Sequence, residues 1–327
     1  MTLLPAVAGG IAPTLLRVAA ADAGLRAEFF LAKELPFLSR TRVRQKIQTG
    51  ESLLNGRRYA TSARLREGDE IAVLWRAEPV RAAAPSLPII FEDDFLVAVD
   101  KPAGIASHPA GRIRSGTVVQ SVRERFSGEI ARSLARGDGG FFPGLANRLD
   151  MFTSGVVILA KSSGPLRAMQ ALAARGGVSK TYAALVEGRM LFEEGRIDFP
   201  IGPDEASGIS VKMTVRQDGL PAATEYRAIR RLPWHTLLEV RPLSGRQHQI
   251  RVHLAAAGHP VWGDLLYKDD RLFRRYLSNG CRLDESLPPR HMLHAERAEF
   301  THPVTGARIE IRAPVPEDFT RVLAGLE

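Results

Sequence analysis

The chain of 327 residues contains a single cysteine, Cys281. One cysteine excludes a disulfide framework within the chain and a cluster of thiolate metal ligands. Low cysteine content is typical of the reducing cytoplasm, and we expect a cytoplasmic protein. The chain also lacks any apolar run close to the roughly 18 residues that a membrane-spanning helix needs, so we expect no membrane partner.

The first twenty residues are mostly apolar, but they lack the pattern of a secretory signal. No Lys or Arg precedes Arg17, so the charged beginning of a signal peptide is missing. Pro5 and Pro13 interrupt the apolar run. We therefore expect no cleaved leader.

The histidines lack the spacing of zinc ligands. His248 and His253 are five residues apart, and His291 and His294 are three apart. In a strand, these separations would place each pair on opposite faces. Neither pair has an acidic third ligand in a zinc pattern. We expect neither a metal nor a cofactor.

Acidic residues are fewer than basic ones, with 36 Asp and Glu against 45 Lys and Arg, a net charge of +9. Residues 33–76 alone contain ten Lys or Arg and five Asp or Glu, which is more than half of the whole excess. Such clustering predicts a polyanionic partner, most often nucleic acid. The alternative is an arginine-rich surface without such a partner.

Residues 24–76 are predicted to form a small basic unit. We predict one helix from Gly24 to Leu35 and a second from Arg40 to Thr49, then a hairpin at Asn55-Gly56, which is the strongest two-residue turn signal. A strand from Ile71 to Leu74 completes it. The pattern resembles the S-four-like RNA-binding domain, which grips phosphates with its basic helix and hairpin. The resemblance implies that six cations bind RNA: Arg40, Arg42, Arg44, Lys46, Arg57 and Arg58.

A lone carboxylate, Asp150, precedes an unbroken apolar run from Val156 to Ala160. The run is short and rich in β-branched residues, which predicts a strand covered on both faces. Asp150 would lie in the loop that enters this strand, after a glycine-rich segment, residues 131–144, that we predict to be flexible. By itself, this stretch favours a turn or cap role for Asp150, in which it binds neighbouring backbone N–H groups.

Four further motifs change the interpretation of Asp150. They are Lys101–Pro109, Lys180–Gly188, Arg241–Leu254 with its continuation to Asp264, and Arg290–Ala295 with His302–Gly306. Their content and order resemble the RluA family of pseudouridine synthases from about Ile89 to the C-terminus. The resemblance implies an α+β fold, with a mostly antiparallel mixed central sheet and a catalytic cleft, beside a small N-terminal α/β RNA-binding domain.

The domain organisation follows from these two resemblances. We predict an N-terminal extension over residues 1–23, the RNA-binding domain over 24–76, a linker over 77–88 and the catalytic domain over 89–327. The chain departs from the commonest family pattern at Asn147, usually His, and at Met151-Phe152, often a charged pair.

The family resemblance also implies a role for each site residue. Asp150 is the catalytic carboxylate, Arg251 the cation that lowers its pKa, and Tyr182 stacks on a uracil that is flipped out of the RNA. Three residues would bind substrate: Arg148, which fills the vacated stack or holds a phosphate, Ile250, which lines the base pocket, and Arg246.

The predicted function is that of an RNA pseudouridine synthase, which isomerises uridines in ribosomal or transfer RNA. We expect a monomer without an obligate protein partner. Two alternatives remain at this point. One is a non-catalytic RNA-binding or ribosome-assembly factor on the same fold. The other is a nucleosidase or glycosidase, which needs a second carboxylate, and none stands beside Asp150 in its motif.

Overall fold

The computed structural model describes residues 13–35, 38, 40–74, 85–110, 113, 115–136, 140–278 and 287–326. Several sequence predictions lie outside these residues. They are the sole cysteine, the first twelve residues of the predicted extension, and residues 77–84 of the predicted linker. Within the described ranges, no helix is both long and apolar enough to cross a membrane.

The described elements are short strands and helices. The strands are Thr14–Arg17 (β1), Ser52–Leu54 (β2), Glu70–Val73 (β3), Ile89–Glu92 (β4), Leu96–Lys101 (β5), Gly144–Leu145 (β6), Ser154–Ala160 (β7), Val178–Glu187 (β8), Glu194–Asp198 (β9), Ile201–Pro203 (β10), Met213–Val215 (β11), Ala223–Arg231 (β12), His235–Pro242 (β13), Leu293–Thr301 (β14) and Arg308–Arg312 (β15). The helices are Ala27–Glu34 (α1), Arg40–Thr49 (α2), Val118–Arg125 (α3), Ser127–Arg136 (α4), Ser163–Ala174 (α5), Gln249–Ala256 (α6), Leu265–Lys268 (α7), Asp270–Ser278 (α8) and Glu317–Ala324 (α9), with a 3-10 turn at Ala20–Asp22.

The chain divides into two compact units, Met1–Ala83 with Phe126–Phe142, and Ala84–Arg125 with Pro143–Glu327. In the smaller unit, β1, β3 and β2 form an antiparallel sheet in that order. Val43 and Ile47 of α2 are buried in its core beside Phe30 and Ile71. The apolar spacing of α2 therefore leaves Arg40, Arg42 and Arg44 exposed, while Lys46 is half-buried.

The small sheet begins upstream of the predicted boundary at residue 24. Thr14 to Arg17 pair with Val73 to Glu70, and Val18 belongs to the buried core of the same unit. The remaining predicted domain boundaries stay predictions.

The predicted flexible segment over residues 131–144 is wrong in its first half, because α4 continues to Arg136. Its sequence is rich in helix-forming Ala, Arg and Leu, and the glycines begin only at residue 137.

The larger unit is built on one mixed sheet with the strand order β4-β5-β7-β14-β8-β13-β12-β9; β15 pairs with β14, and β6 with β7. All these pairs are antiparallel except β7–β14, which is parallel. Helix α5 packs on one face through Met169 and Leu172, against Leu96 of β5 and Ile158 of β7. The predicted α+β fold with a mostly antiparallel mixed sheet is confirmed.

Strand β7 is an interior strand of this sheet and is buried along its whole length, as its apolar run predicts. Its parallel partner β14 is paired through His294 with Ser154 and through Ala295 with Gly155. The approach is close at Gly155, which has a φ of +114°. A Cβ atom there would lie 2.1 Å from the carbonyl oxygen of Ala295.

Replacing Gly155 with Ala should therefore lower the free energy of unfolding by about 2–4 kcal/mol, because backbone on both strands must move. Chemical denaturation of both proteins measures this difference. Gly164→Ala is the matched control, since Gly164 is helical and a Cβ there meets nothing within 4 Å. The control should be neutral or slightly stabilising. Equal stabilities for the two variants would contradict the close approach of β7 and β14.

Candidate active site

Asp150 lies in the loop that leads into β7, and its neighbours on both sides are fixed. The Ser107 hydroxyl donates to the carbonyl oxygen of Leu149 at 2.8 Å and accepts from the amide of Leu149 at 3.0 Å. On the other side, the amide of Gly104 donates to the carbonyl oxygen of Met151 at 2.9 Å. The backbone around Asp150 is therefore held from two directions.

A completely buried cation, Lys101, adds a third support to the same loop. Its Nζ donates to the carbonyl oxygens of Pro102 at 2.9 Å, Ile105 at 2.8 Å and Met151 at 2.9 Å. Burial, followed by the charge of Arg290, lowers the pKa of Lys101 to about 7. Because all three acceptors are backbone oxygens, Lys101 ties the end of β5 directly to the loop of Asp150.

The end of the loop is held by two histidines from the β14 region. Nε2 of His291 lies 2.8 Å from the Thr153 hydroxyl, and Nδ1 of His294 lies 2.9 Å from the Ser154 hydroxyl. Each histidine therefore has a hydroxyl partner on the segment that enters β7. Among the described residues, no group of three or more His, Cys, Asp or Glu could hold a metal ion.

Arg251 of α6 brings two carboxylates together. Its Nη1 donates to Oδ2 of Asp150 at 2.9 Å, while Nε and Nη2 donate to the two oxygens of Asp264 at 2.6 and 2.8 Å. The side chains of Arg251 and Asp264 are only 8% and 1% exposed. His253 lies on a helix rather than on a strand, because α6 begins at Gln249, directly after His248.

The electrostatics keep Asp150 ionised. Burial by itself would raise the pKa of Asp150, but the positive charge of Arg251, with smaller effects of His248 and Lys101, lowers it below the usual value. Burial by itself would lower the pKa of Arg251, but the charges of Asp264 and Asp150 raise it above its usual value. At neutral pH the site therefore contains a carboxylate beside a permanent cation. The side chain of Asp150 is 28% exposed, so substrate can reach it.

His248 lies at the N-terminus of α6 beside this pair. Its Nδ1 is 2.8 Å from the Tyr267 hydroxyl, and its Nε2 is 3.8 Å from Oδ2 of Asp150. Burial lowers the pKa of His248, although the charge of Asp150 opposes this shift. The guanidinium of Arg251 also lies over the Tyr267 ring, 5.0 Å from its centre.

A cavity of about 230 Å³ opens at Asp150. Asp150, His248 and Arg251 contribute polar atoms to its lining, and Phe152 and Phe273 contribute aromatic rings. The cavity therefore offers both charged and apolar surface beside Asp150.

Tyr182 and Ile250, both predicted from the family resemblance, lie outside the lining of this cavity. Tyr182 is on β8, paired with Val240 of β13 and Ala295 of β14, and is 8% exposed. Burial, followed by the charge of Asp150, raises the pKa of Tyr182, so its hydroxyl stays protonated at neutral pH. Ile250 is buried on α6, directly before the cation that pairs with Asp150.

Arg148 and Arg246 are both exposed, on different segments of the larger unit. Burial, followed by the charge of the nearby Arg148, lowers the pKa of His108. The side chain of Arg246 donates to the carbonyl oxygen of Pro221 at 3.1 Å. Two exposed cations near the motifs of Asp150 and Arg251 are consistent with phosphate contacts.

The six predicted RNA-binding cations of the smaller unit differ in their surroundings. Arg44 pairs with Glu28, and Lys46 donates to the carbonyl oxygen of Leu74 at 3.0 Å and to Glu51 at 3.3 Å. These two charges are therefore already partly neutralised within the fold. The other four are exposed: Arg40, Arg42, Arg57 and Arg58.

Asn147, which stands where the RluA family usually has His, has a structural role. Its side-chain nitrogen donates to the carbonyl oxygen of Val156 at 3.2 Å, and its oxygen accepts from the amide of Ile158 at 2.7 Å. The amide therefore pairs with β7 as a neighbouring strand would. Met151 and Phe152 are 38% and 37% exposed and lie beside Asp150 in the cavity lining.

Sequence reasoning missed four residues of the site: Lys101, His248, Tyr267 and Asp264. Three of them stand in motifs that had been recognised, but nothing in a motif says which of its polar residues point into the site. Tyr267 follows the motif that ends at Asp264 by three residues. Its only sequence signal is an aromatic residue soon after that motif.

Comparison with known proteins places the chain among RNA-modifying enzymes. A family model described as RNA pseudouridylate synthase matches residues 95–256. The chain is 36% identical over 307 residues to ribosomal large subunit pseudouridine synthase D of Xanthomonas campestris, covering 93% of this chain and 89% of that protein. It is 31% identical to ribosomal large subunit pseudouridine synthase C of Escherichia coli, covering 95% and 96%.

Solved structures support the fold. Human RNA pseudouridylate synthase domain containing 4 matches with a TM-score of 0.55 at 24% identity, covering 73% of this chain and 92% of that chain. Human RNA pseudouridylate synthase domain containing 1 matches with a TM-score of 0.54 at 23% identity, covering 76% and 97%. At this level of identity, the similarity establishes a shared fold.

Asp264→Asn should lower the free energy of unfolding by about 3 kcal/mol, because it leaves the buried Arg251 with half of its counter-charge. It should also slow the reaction, since Arg251 is no longer held against Asp150. Chemical denaturation and a single-turnover assay measure the two effects.

Asp218→Asn is the matched control. Asp218 makes the same two-oxygen contact with Arg216, at 2.6 and 2.8 Å, but is 71% exposed. Water screens such a pair, so stability and rate should stay close to those of the parent protein. A comparable loss of stability in both variants would contradict the special role of Asp264.

Proposed function

The chain belongs to the RNA pseudouridylate synthase family, as a synthase of the RluA type, and we propose that Asp150 is the carboxylate on which its reaction depends. The protein is an isomerase that converts uridine in RNA to pseudouridine. One observation carries the role of Asp150: its side chain is ionised, touches a buried arginine and faces a cavity.

The reaction explains why an ionised carboxylate is needed. The bond from the ribose C1′ to N1 of uracil breaks, the base turns, and a bond from C1′ to C5 forms. N1 gains a proton and C5 loses one, so atoms balance without an oxidant or a donor group. Asp150 can serve either as the nucleophile at the ribose or as the base that removes a ribose proton. Both roles require its charged form.

Tyr182 suits the second half of the reaction. Because it is buried and protonated, its ring offers a flat apolar face and its hydroxyl a hydrogen-bond donor and acceptor. Among the described residues, that hydroxyl has no hydrogen-bond partner. A flipped uracil that stacks on this ring recovers part of the few kcal/mol lost when it leaves the RNA stack. We assign the lining of the base pocket to Ile250.

The second carboxylate of the site does not support a glycosidase. Asp264 lies beside Arg251, but both of its oxygens accept hydrogen bonds from that guanidinium, and its side chain is 1% exposed. It is therefore unavailable for acid–base work on a sugar. An isomerase with one working carboxylate agrees better with this arrangement.

Large-subunit ribosomal RNA is the substrate that we propose. The support is the similarity to relatives named as ribosomal large subunit pseudouridine synthases over more than nine-tenths of this chain. In this proposal the smaller unit binds RNA phosphates, and Arg148 and Arg246 contact the backbone near the target uridine. We propose a monomer that acts in the cytoplasm, where such RNA is made.

Asp150→Asn should reduce pseudouridine formation by about a thousandfold or more, because the amide keeps the shape but loses the charge. The measurement is release of tritium from C5-labelled uridine in transcribed large-subunit ribosomal RNA. RNA affinity should change little. The remote variant Asp218→Asn is the control for loss of one carboxylate, and it should keep the parent rate. An Asp150→Asn protein that turns over at the parent rate would refute the proposed function.

Replacing Arg40, Arg42, Arg57 and Arg58 with Gln should weaken RNA binding. Each lost phosphate contact should reduce the slope of log affinity against log salt by up to about 0.9. The single-turnover rate at saturating enzyme should stay near that of the parent, because the chemistry lies in the larger unit.

Four arginines of the larger unit form the control, since each already pairs with a carboxylate: Arg196, Arg216, Arg312 and Arg321. Their replacement by Gln removes the same charge from the protein. An equal loss of affinity and salt dependence in both sets would show that net charge, rather than the small unit, governs binding.

A further inference from the structure

His248 has a backbone conformation that is unusual for a residue with a side chain. Its φ is 55° and its ψ 19°, in the left-handed region, and it caps the N-terminus of α6. Within the described residues, Asn55 is the only other residue besides glycine with a positive φ. Such conformations cost free energy and tend to occur at functional sites. Asn55 belongs to a predicted turn, but no turn signal explains His248.

The hydrogen bonds of the imidazole fix which nitrogen carries its proton. The amide of Met213 donates to the Tyr267 hydroxyl at 3.1 Å, so the hydroxyl proton is free to be donated to Nδ1 of His248, 2.8 Å away. The ring proton then lies on Nε2. The opposite tautomer would direct a lone pair at the carboxylate of Asp150, which is unfavourable.

Nε2 of His248 lies near the same carboxylate oxygen that Arg251 contacts. Oδ2 of Asp150 is 2.9 Å from Nη1 of Arg251 and 3.8 Å from Nε2 of His248. Oδ1 accepts no hydrogen bond from any described residue. The distance of 3.8 Å is longer than a hydrogen bond, but catalytic hydrogen bonds often shorten only when substrate is bound.

We propose that His248 is a positioning residue whose neutral imidazole, set by Tyr267, donates to Oδ2 of Asp150 and leaves Oδ1 as the reacting oxygen. Together with Arg251 it fixes the rotation of the carboxylate, so that one oxygen is occupied and the other faces the cavity. This inference rests on the proposed role of Asp150 and adds which of its two oxygens reacts.

The pH dependence of the site gives a readout that a purely structural role would not change. Removing the His248 donor should raise the pKa of Asp150, so the acid limb of the rate profile should move to higher pH. The other titratable or charged groups around Asp150 come from several elements and remain in place: Lys101 of β5, Tyr182 of β8, Arg251 of α6, Asp264 and Tyr267 at α7, and Arg290 with His291 before β14.

His248→Asn is the informative variant, because Asn tolerates the left-handed conformation but is too short to take the place of the imidazole. Its single-turnover rate on transcribed large-subunit ribosomal RNA should fall about tenfold or more, with unchanged RNA affinity. The acid limb should shift to higher pH. Tyr267→Phe removes the hydroxyl that fixes the tautomer of His248. It should shift the acid limb of the pH–rate profile in the same direction by a smaller amount.

His259→Asn is the matched control. His259 also bonds through Nδ1, to the carbonyl oxygen of Glu187 at 2.9 Å, but lies outside the residues around Asp150. Its rate and pH profile should match the parent. Thermal unfolding of each variant checks that the fold is intact.

Two results would overturn the role of His248: a parent rate and profile in His248→Asn, or a slower rate with an unshifted acid limb. Either result, with Asp150→Asn inactive, leaves the proposed function intact. An active Asp150→Asn protein would instead refute the proposed function itself.

Discussion

The buried contact between Arg251 and Asp264 is the interaction on which the rest of the site depends. A guanidinium that is 8% exposed needs its charge balanced, and Asp264 does so through two short hydrogen bonds. The remaining Nη1 then meets Asp150 in a fixed position. Removing a cation and an anion from water costs several kcal/mol per ion, so this pair is weak support for stability. The pair instead holds Arg251 in a fixed position, where its charge keeps Asp150 ionised.

The central sheet supplies the other half of that geometry. A single parallel pairing, β7 with β14, places the loop of Asp150 beside two histidines that bond to its last residues. Close approach at Gly155 makes this pairing possible. Lys101 then holds the same loop from β5 through backbone oxygens only. Asp150 therefore lies on a loop that is held by hydrogen bonds from several segments, which agrees with the fixed geometry that its proposed role needs.

The sequence predicts some of these features and misses others for identifiable reasons. The β-branched run of β7 and the ends of α2 follow from periodicity and apolar content, and the structure has both. The segment of α6 mixes Ile, Val and Leu with polar residues over only eight positions, so its apolar content fits strand and helix equally well. The partners of Arg251 also cannot be predicted from the neighbouring sequence. Asp150 is 101 residues away from Arg251 along the chain, and Asp264 is 13 residues away. Resemblance to a family indicated the first partner but not the second.

The sequence separation of these contacts has a consequence for synthesis of the chain on the ribosome. The loop of Asp150 needs Lys101, which precedes it, but also Arg251 and the segment from Arg290 to His294, which follow by up to about 140 residues. Arg290 in turn pairs with Asp318. A nascent chain therefore cannot assemble the centre until almost all of the larger unit has left the exit tunnel. We therefore expect a chain that is still being made to have no isomerase activity.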